Sequence, residues 1–187
     1  MAKKLTEMTN EELWQLFPII LTEHNPHWKD WYEEEKKFLT PLLPASAVLH
    51  HIGSTAIEGI CAKPTIDILA VLPEGVDMKG VRDTLASNGY ICMAESERRI
   101  SLNKGYTPSG FAERVFHLHL RFSGDTDEII FRDYLVANPV VAREYEKLKL
   151  SLWKKFEHDR DAYTMAKTDF VNNCLAKARG TKKAKEQ

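Results

Sequence analysis

The alternation of apolar and polar positions divides the chain into helices at both ends and strands between them. Thr9 and Glu12, three positions apart and just ahead of Leu13, Trp14, Leu16 and Phe17, form the capping-box pattern of a short N-terminal helix. Pro18 interrupts it, and Ile19-Ile20-Leu21-Thr22 reads as extended. Asn25-Pro26 pairs an N-cap side chain with proline at the first helical position. The helix it opens carries Trp28, Trp31, Tyr32, Phe38, Leu39 and Leu42 at near-helical spacing and closes at Pro41 and Pro44. That spacing assigns its aromatic residues to a core rather than to a stacking platform.

A strand from Ala47 runs through His50, His51 and Ile52 into Gly53. The run Thr65 to Leu72 is apolar on both faces except at Asp67, the pattern of a central strand covered on both sides. Asp77 caps a helix carrying Val81 and Leu85, and Asn88-Gly89 ends it. Tyr90 to Met93 and Ile100 to Leu102 read as short strands, with a loop from Gly105 to Gly110. Val115 to Phe122 alternates strictly, with Phe116, Leu118, Leu120 and Phe122 on one face and Val115, His117, His119 and Arg121 on the other. Asp125, Asp127 and Glu128 open a helix through Leu135, and Asn138-Pro139 opens another with Val141, Tyr145, Leu148, Leu152 and Phe156 on one stripe. A last helix spans Arg160 to Ala178. The reading is one α+β domain over residues 1–178, a mixed sheet flanked by helices with a helical C-terminal layer. A basic tail at 179–187 is expected to be disordered.

Composition narrows the class. The 187 residues hold 26 Lys+Arg against 27 Asp+Glu, a net charge of -1, which argues against a bulk nucleic-acid or anionic-membrane binder. No apolar run approaches the ~20 residues that span a bilayer, and no signal peptide is visible. Cys61, Cys92 and Cys174 are far apart and form no CxxC pair, so they read as reduced thiols of a cytoplasmic protein.

The first candidate chemistry lies at His51-Ile52-Gly53-Ser54-Thr55, followed by Asp67. A strand ending in Gly-Ser lets backbone and hydroxyl approach a phosphate closely. A lone Asp in an apolar strand is costly unless it is paired or binds a cation, and carboxylates are the ligands of Mg²⁺. The alternative is a tight turn with a hydrogen-bonded structural Asp. His117, His119 and Arg121 share a face and suit metal ligation, general-base work or phosphate contact, or else form a polar face packed under a helix. Lys63 reaches the same mouth as Ser54 or stays a solvated loop lysine. Arg132 and Asp133 are an anion contact with its positioning partner, or a surface ion pair.

These residues also carry a resemblance. His51-Ile52-Gly53-Ser54-Thr55-Ala56-Ile57-Glu58-Gly59 with Ala62-Lys63-Pro64-Thr65-Ile66-Asp67-Ile68 resembles the signature of the GrpB family. The likeness resumes at Phe116 to Arg121, at Phe131-Arg132-Asp133-Tyr134-Leu135 and at Asn138-Pro139, and covers most of residues 11 to 170. It implies a nucleotidyltransferase-like, polymerase-β-type scaffold that holds a nucleotide or other small phosphorylated ligand. On that pattern Gly53 and Ser54 would hold phosphate and Asp67 would hold Mg²⁺; joined to the residue reading above, Lys63, His117, Arg121 and Arg132 are further phosphate contacts and His119 an auxiliary ligand or base. The chain departs from it at Leu69, where the second metal-binding carboxylate of such folds would stand, so the resemblance leaves a metal-dependent transferase and a non-catalytic binding module or vestigial pocket both open.

Overall fold

Five strands, β1 (Val48–Ile52), β2 (Thr65–Leu72), β3 (Ile91–Glu95), β4 (Arg99–Thr107) and β5 (Gly110–Phe122), form one mixed sheet in a computed structural model that describes residues 5–185. Their order is β1-β2-β5-β4-β3; β2 and β5 run parallel at the centre and every other neighbouring pair is antiparallel. Among the described residues seven α-helices surround the sheet: α1 (Asn10–Leu16), α2 (Trp28–Leu39), α3 (Met78–Ser87), α4 (Asp127–Ala137), α5 (Pro139–Lys155), α6 (Arg160–Met165) and α7 (Thr168–Lys185). The fold is thus α+β, with the C-terminal helices as a separate layer. Among the described residues no helix is long and apolar enough to cross a membrane.

The two faces of the sheet have different partners. Ile66, Ile68, Ala70 and Leu72 of β2 and Phe116, Leu118, Leu120 and Phe122 of β5 pack with Trp28, Tyr32 and Leu39 of α2 and with Val81 and Leu85 of α3. Across the sheet, Leu135, Ala142, Tyr145 and Cys174 from α4, α5 and α7 close over Ile57 and Ile60 in a second cluster. Asp67, Leu69, His117 and His119 face this second side, because alternation along a strand gives them the opposite face from the first core.

Several elements differ from the sequence expectation, each for a local reason. The Ile19–Thr22 stretch makes a single bridge, Thr22 to Ala62, rather than a strand. The Asn25 side chain accepts from the His27 amide at 3.0 Å, and this turn delays the helix to Trp28. Residues 105–110 are not a loop, since β4 and β5 continue into a tight hairpin closed by the Thr107 hydroxyl donating to the Gly110 carbonyl at 2.8 Å. Gly105 permits this with a φ of 91°; a Cβ there would lie 2.3 Å from the Arg114 carbonyl oxygen. The expected final helix is two, α6 and α7. α7 runs past the expected boundary at 178 to Lys185, with Ala178 buried and Arg179 paired with Asp127. Of the tail expected to be disordered, residues 186 and 187 lie outside the described residues.

Candidate functional site

The parallel pairing of β2 with β5 sets Asp67 opposite His117 and Leu69 opposite His119. His117 Nδ1 donates to Asp67 Oδ1 at 3.1 Å, and its Nε2 accepts from the Tyr106 hydroxyl at 2.9 Å. Arg160 donates to that hydroxyl at 2.7 Å. The ionised Asp67 can only accept, so His117 Nδ1 carries a proton, and with the ring neutral its Nε2 accepts from Tyr106. Burial agrees, pushing the His117 pKa down against the pull of Asp67. Burial would by itself raise the Asp67 pKa, but hydrogen bonding from His117 and His119 outweighs it and keeps the carboxylate ionised, well below the usual range. His119 is the looser neighbour, with Nε2 3.9 Å from Asp67 Oδ1 and Nδ1 3.3 Å from the Ser101 hydroxyl.

The other carboxylate oxygen lies beside the Gly53 turn. Gly53 has a φ of 71°, and a Cβ built on it would fall 2.4 Å from Asp67 Oδ2. Only glycine lets the turn approach the strand this closely. Ser54 follows it, a hydrogen-bonding neighbour of the Tyr145 phenol.

Above Asp67 lies a cavity of about 120 Å³ whose lining includes Ser54, Lys63, Tyr145, Lys149, Tyr163 and Lys167. Lys149 projects from α5, donates to the Cys61 carbonyl oxygen, and is only 2% exposed. Lys167 stands in the turn between α6 and α7, its ammonium 4.1 Å from the Tyr163 ring centre, with Lys63 5.9 Å from the same ring. Burial, reinforced by repulsion from Arg160 and Lys167, pushes Lys63 down to about 7. Burial likewise pushes Lys149 to about 8, helped by Lys167, and Lys167 to about 8, with Arg160 opposing its charge and Asp67 favouring it. Three crowded lysines thus share a small, partly dehydrated space with a single carboxylate.

Of the residues singled out from sequence, Gly53, Ser54, Lys63, Asp67, His117 and His119 come together here. Arg121 does not. Four residues beyond His117 along the strand, about 13 Å, it is buried at the other end of the face, donating to the Ile100 and Leu120 carbonyls beside Asp125 and Glu128. Arg132 is also spent elsewhere, on the His51 carbonyl at 2.7 Å and on the Asp133 carboxylate. Sequence reasoning missed Lys149, Lys167, Tyr106, Arg160 and Tyr163, and placed Tyr145 in the core stripe alone. A signal existed for Lys149, which lies four residues after Tyr145, on the apolar stripe of α5.

The donor set does not fit a two-magnesium centre. Leu69, two residues beyond Asp67 on the same face of β2, is apolar and has no exposed surface. Asp67 has Oδ1 engaged by His117 and Oδ2 against Gly53. Among the described residues no group of three or more His, Cys, Asp or Glu side chains could hold a metal ion, and the charges facing Asp67 across the cavity are lysines. Two-metal catalysis requires several anionic ligands.

A small α+β protein with a lysine-lined cavity over a glycine turn is what fold and site define. Its sequence matches the GrpB protein family over residues 18–177. The glutamate-rich protein GrpB of Alkalihalophilus pseudofirmus is 34% identical over 165 residues, 84% of this chain and 94% of that protein. A UPF0157 protein of Pseudomonas aeruginosa is 33% identical over 158 residues, covering 82% of this chain and 65% of its own length. The crystal structure of GrpB from Enterococcus faecalis has a TM-score of 0.73 at 31% identity, over 85% of this chain and 96% of that one. The chain belongs to the GrpB family. A looser likeness to the Cid1 poly(U) polymerase, with a TM-score of 0.47 at 14% identity, supports no statement about activity.

Proposed function

We propose that this protein binds a phosphorylated small molecule, a nucleotide in the first instance, with its phosphate between the Gly53-Ser54 turn, Asp67 and the lysines Lys63, Lys149 and Lys167. The observation that carries this reading is the excess of positive charge in one small cavity. Buried charge is costly unless it is paired, and a phosphate supplies several anionic oxygens where the protein supplies one carboxylate. With Lys63 near 7 and Lys149 and Lys167 near 8, the unliganded cavity sheds part of its charge around neutral pH. An entering anion favours the protonated lysines and restores it. Asp67, held by His117, orients the phosphate by repulsion, and its charge favours the protonated forms of Lys63 and Lys167. A cavity of about 120 Å³ takes a phosphate group and leaves the rest of the ligand outside, since whole-ligand pockets run to about 300–1,000 Å³.

Binding without divalent metal follows from Leu69 and the lysines, which do the charge neutralisation that metal ions would otherwise do. Calorimetric titration with inorganic pyrophosphate, in EDTA and in magnesium, tests it. One site of similar affinity in both conditions is expected. Binding that requires magnesium would contradict the lysine-based account.

A further inference from the structure

Lys63 walls more than the space above Asp67. Lys63 and Thr65 also line an adjoining cavity of about 60 Å³, and Arg160 forms another of its walls. Arg160 in turn lines a cleft of about 490 Å³ bounded by α1, β3 and Tyr106. Three spaces therefore follow one another, with Lys63 and Arg160 as shared walls.

The cleft differs in chemistry from the lysine cavity. Trp14, Phe17 and Tyr106 give it aromatic surface, and Leu13, Ile91 and Met93 give it flexible apolar surface. Phe17 and Tyr106 are in tilted contact with ring centres 4.7 Å apart, and the Arg160 guanidinium carbon stands 5.6 Å from the Tyr106 ring centre. Met93 is 50% exposed on an edge strand, and open apolar surface of this kind beside a polar site marks a place for a ligand. Asn10 and Asp161 also line it and offer hydrogen-bonding groups. The volume falls within the range of small-molecule pockets.

We propose that this cleft holds the base of a nucleotide whose phosphates occupy the lysine cavity, with Arg160 between the two. The proposal rests on the phosphate reading of Lys63, Lys149 and Lys167. A flat ring has the half-exposed indole of Trp14 to stack on, and because every base has a π-face the cleft is sequence-tolerant, recognising a nucleotide as a class. Arg160 suits the middle position: its guanidinium contacts a ring with its face and a phosphate oxygen with its edge. Tyr106 belongs to the cleft and to the hydrogen-bond chain that ends at Asp67, so an occupied cleft touches the residue bonded to the far nitrogen of His117.

The test compares ADP with methyl diphosphate, which carries the same phosphates and no base, by calorimetry on the full chain, on Trp14→Ala and on Met93→Ala. ADP should bind about tenfold more tightly than methyl diphosphate to the unmodified protein, the scale of one base stacked on aromatic side chains. That advantage should shrink in both variants while methyl diphosphate affinity stays unchanged. Met93 is exposed, so its variant keeps the test decisive if Trp14→Ala unfolds. Equal affinities for the two diphosphates, or an ADP advantage untouched by the substitutions, would overturn the assignment of the cleft. Failure of both diphosphates to bind would overturn the phosphate reading beneath it.

Discussion

His117 donates from Nδ1 to Asp67 across the central parallel pair of strands, at 3.1 Å, and its far nitrogen accepts from the Tyr106 hydroxyl. Tyr106→Phe removes that donor and leaves a buried acceptor unpaired. The expected cost is about 1–2 kcal/mol of stability, read by urea unfolding. Histidine ¹⁵N spectra of the variant should keep the Nδ1–H signature of His117, because the Asp67 carboxylate can only accept, and loss of that signature would show that Asp67 alone does not hold the tautomer.

Gly53 holds its place because of Asp67. Gly53→Ala sets a methyl group 2.4 Å from the carboxylate in a left-handed backbone conformation. Stability should fall by about 1–3 kcal/mol and pyrophosphate should bind more weakly. A variant as stable as the parent would mean that the turn does not press on the carboxylate.

Lys167→Met separates stability from binding. It removes one of three crowded cations and keeps an unbranched chain to lie over Tyr163. The ligand-free protein should melt at a higher temperature, since buried charge replaced by apolar volume is often stabilising. Pyrophosphate affinity should meanwhile fall roughly tenfold, the loss of one charge-assisted hydrogen bond. A drop in melting temperature with unaltered affinity would assign Lys167 a structural role instead.

The same lysines give the ligand-free protein a characteristic pH dependence. Their folded pKa values, about 7 for Lys63 and about 8 for Lys149 and Lys167, lie below the usual 10.5. Between these values the unfolded chain holds more protons than the folded one, so stability rises as pH increases from about 7 towards 10. The rise should be smaller in Lys167→Met, and smaller again when pyrophosphate keeps the lysines protonated. Pyrophosphate affinity should decline as pH rises past 8. Identical pH slopes for the parent and Lys167→Met would contradict the assigned shift.

The elements legible in the sequence were those with a strict period and clear ends. β2 begins and ends where Thr65 and Leu72 predict, and the alternation of Val115 to Phe122 assigns His117 and His119 to one face and the core residues to the other. The lone Asp67 in an apolar run pointed to the site for the reason given by physics: a carboxylate there needs partners, and the structure supplies His117. Strand alternation could not show how far along the face a residue lies, which is why Arg121 shares the face of His117 and yet sits among Asp125 and Glu128. The lysines were hidden differently. On a helix or in a turn a lysine reads as solvated, and only the meeting of α5 and the α6–α7 turn with the loop at Lys63 brings Lys149 and Lys167 into one cavity with the lysine the sequence did single out. Tyr106 was missed because the Gly105 bulge made a continuous strand look like a loop.

A crystal structure with inorganic pyrophosphate bound in EDTA tests the central claim most directly. The account predicts density for a phosphate group within hydrogen-bonding distance of the Lys63 and Lys167 ammonium groups and beside Ser54. An empty cavity at saturating pyrophosphate, or the anion held only by lysines on the outer surface, would contradict it.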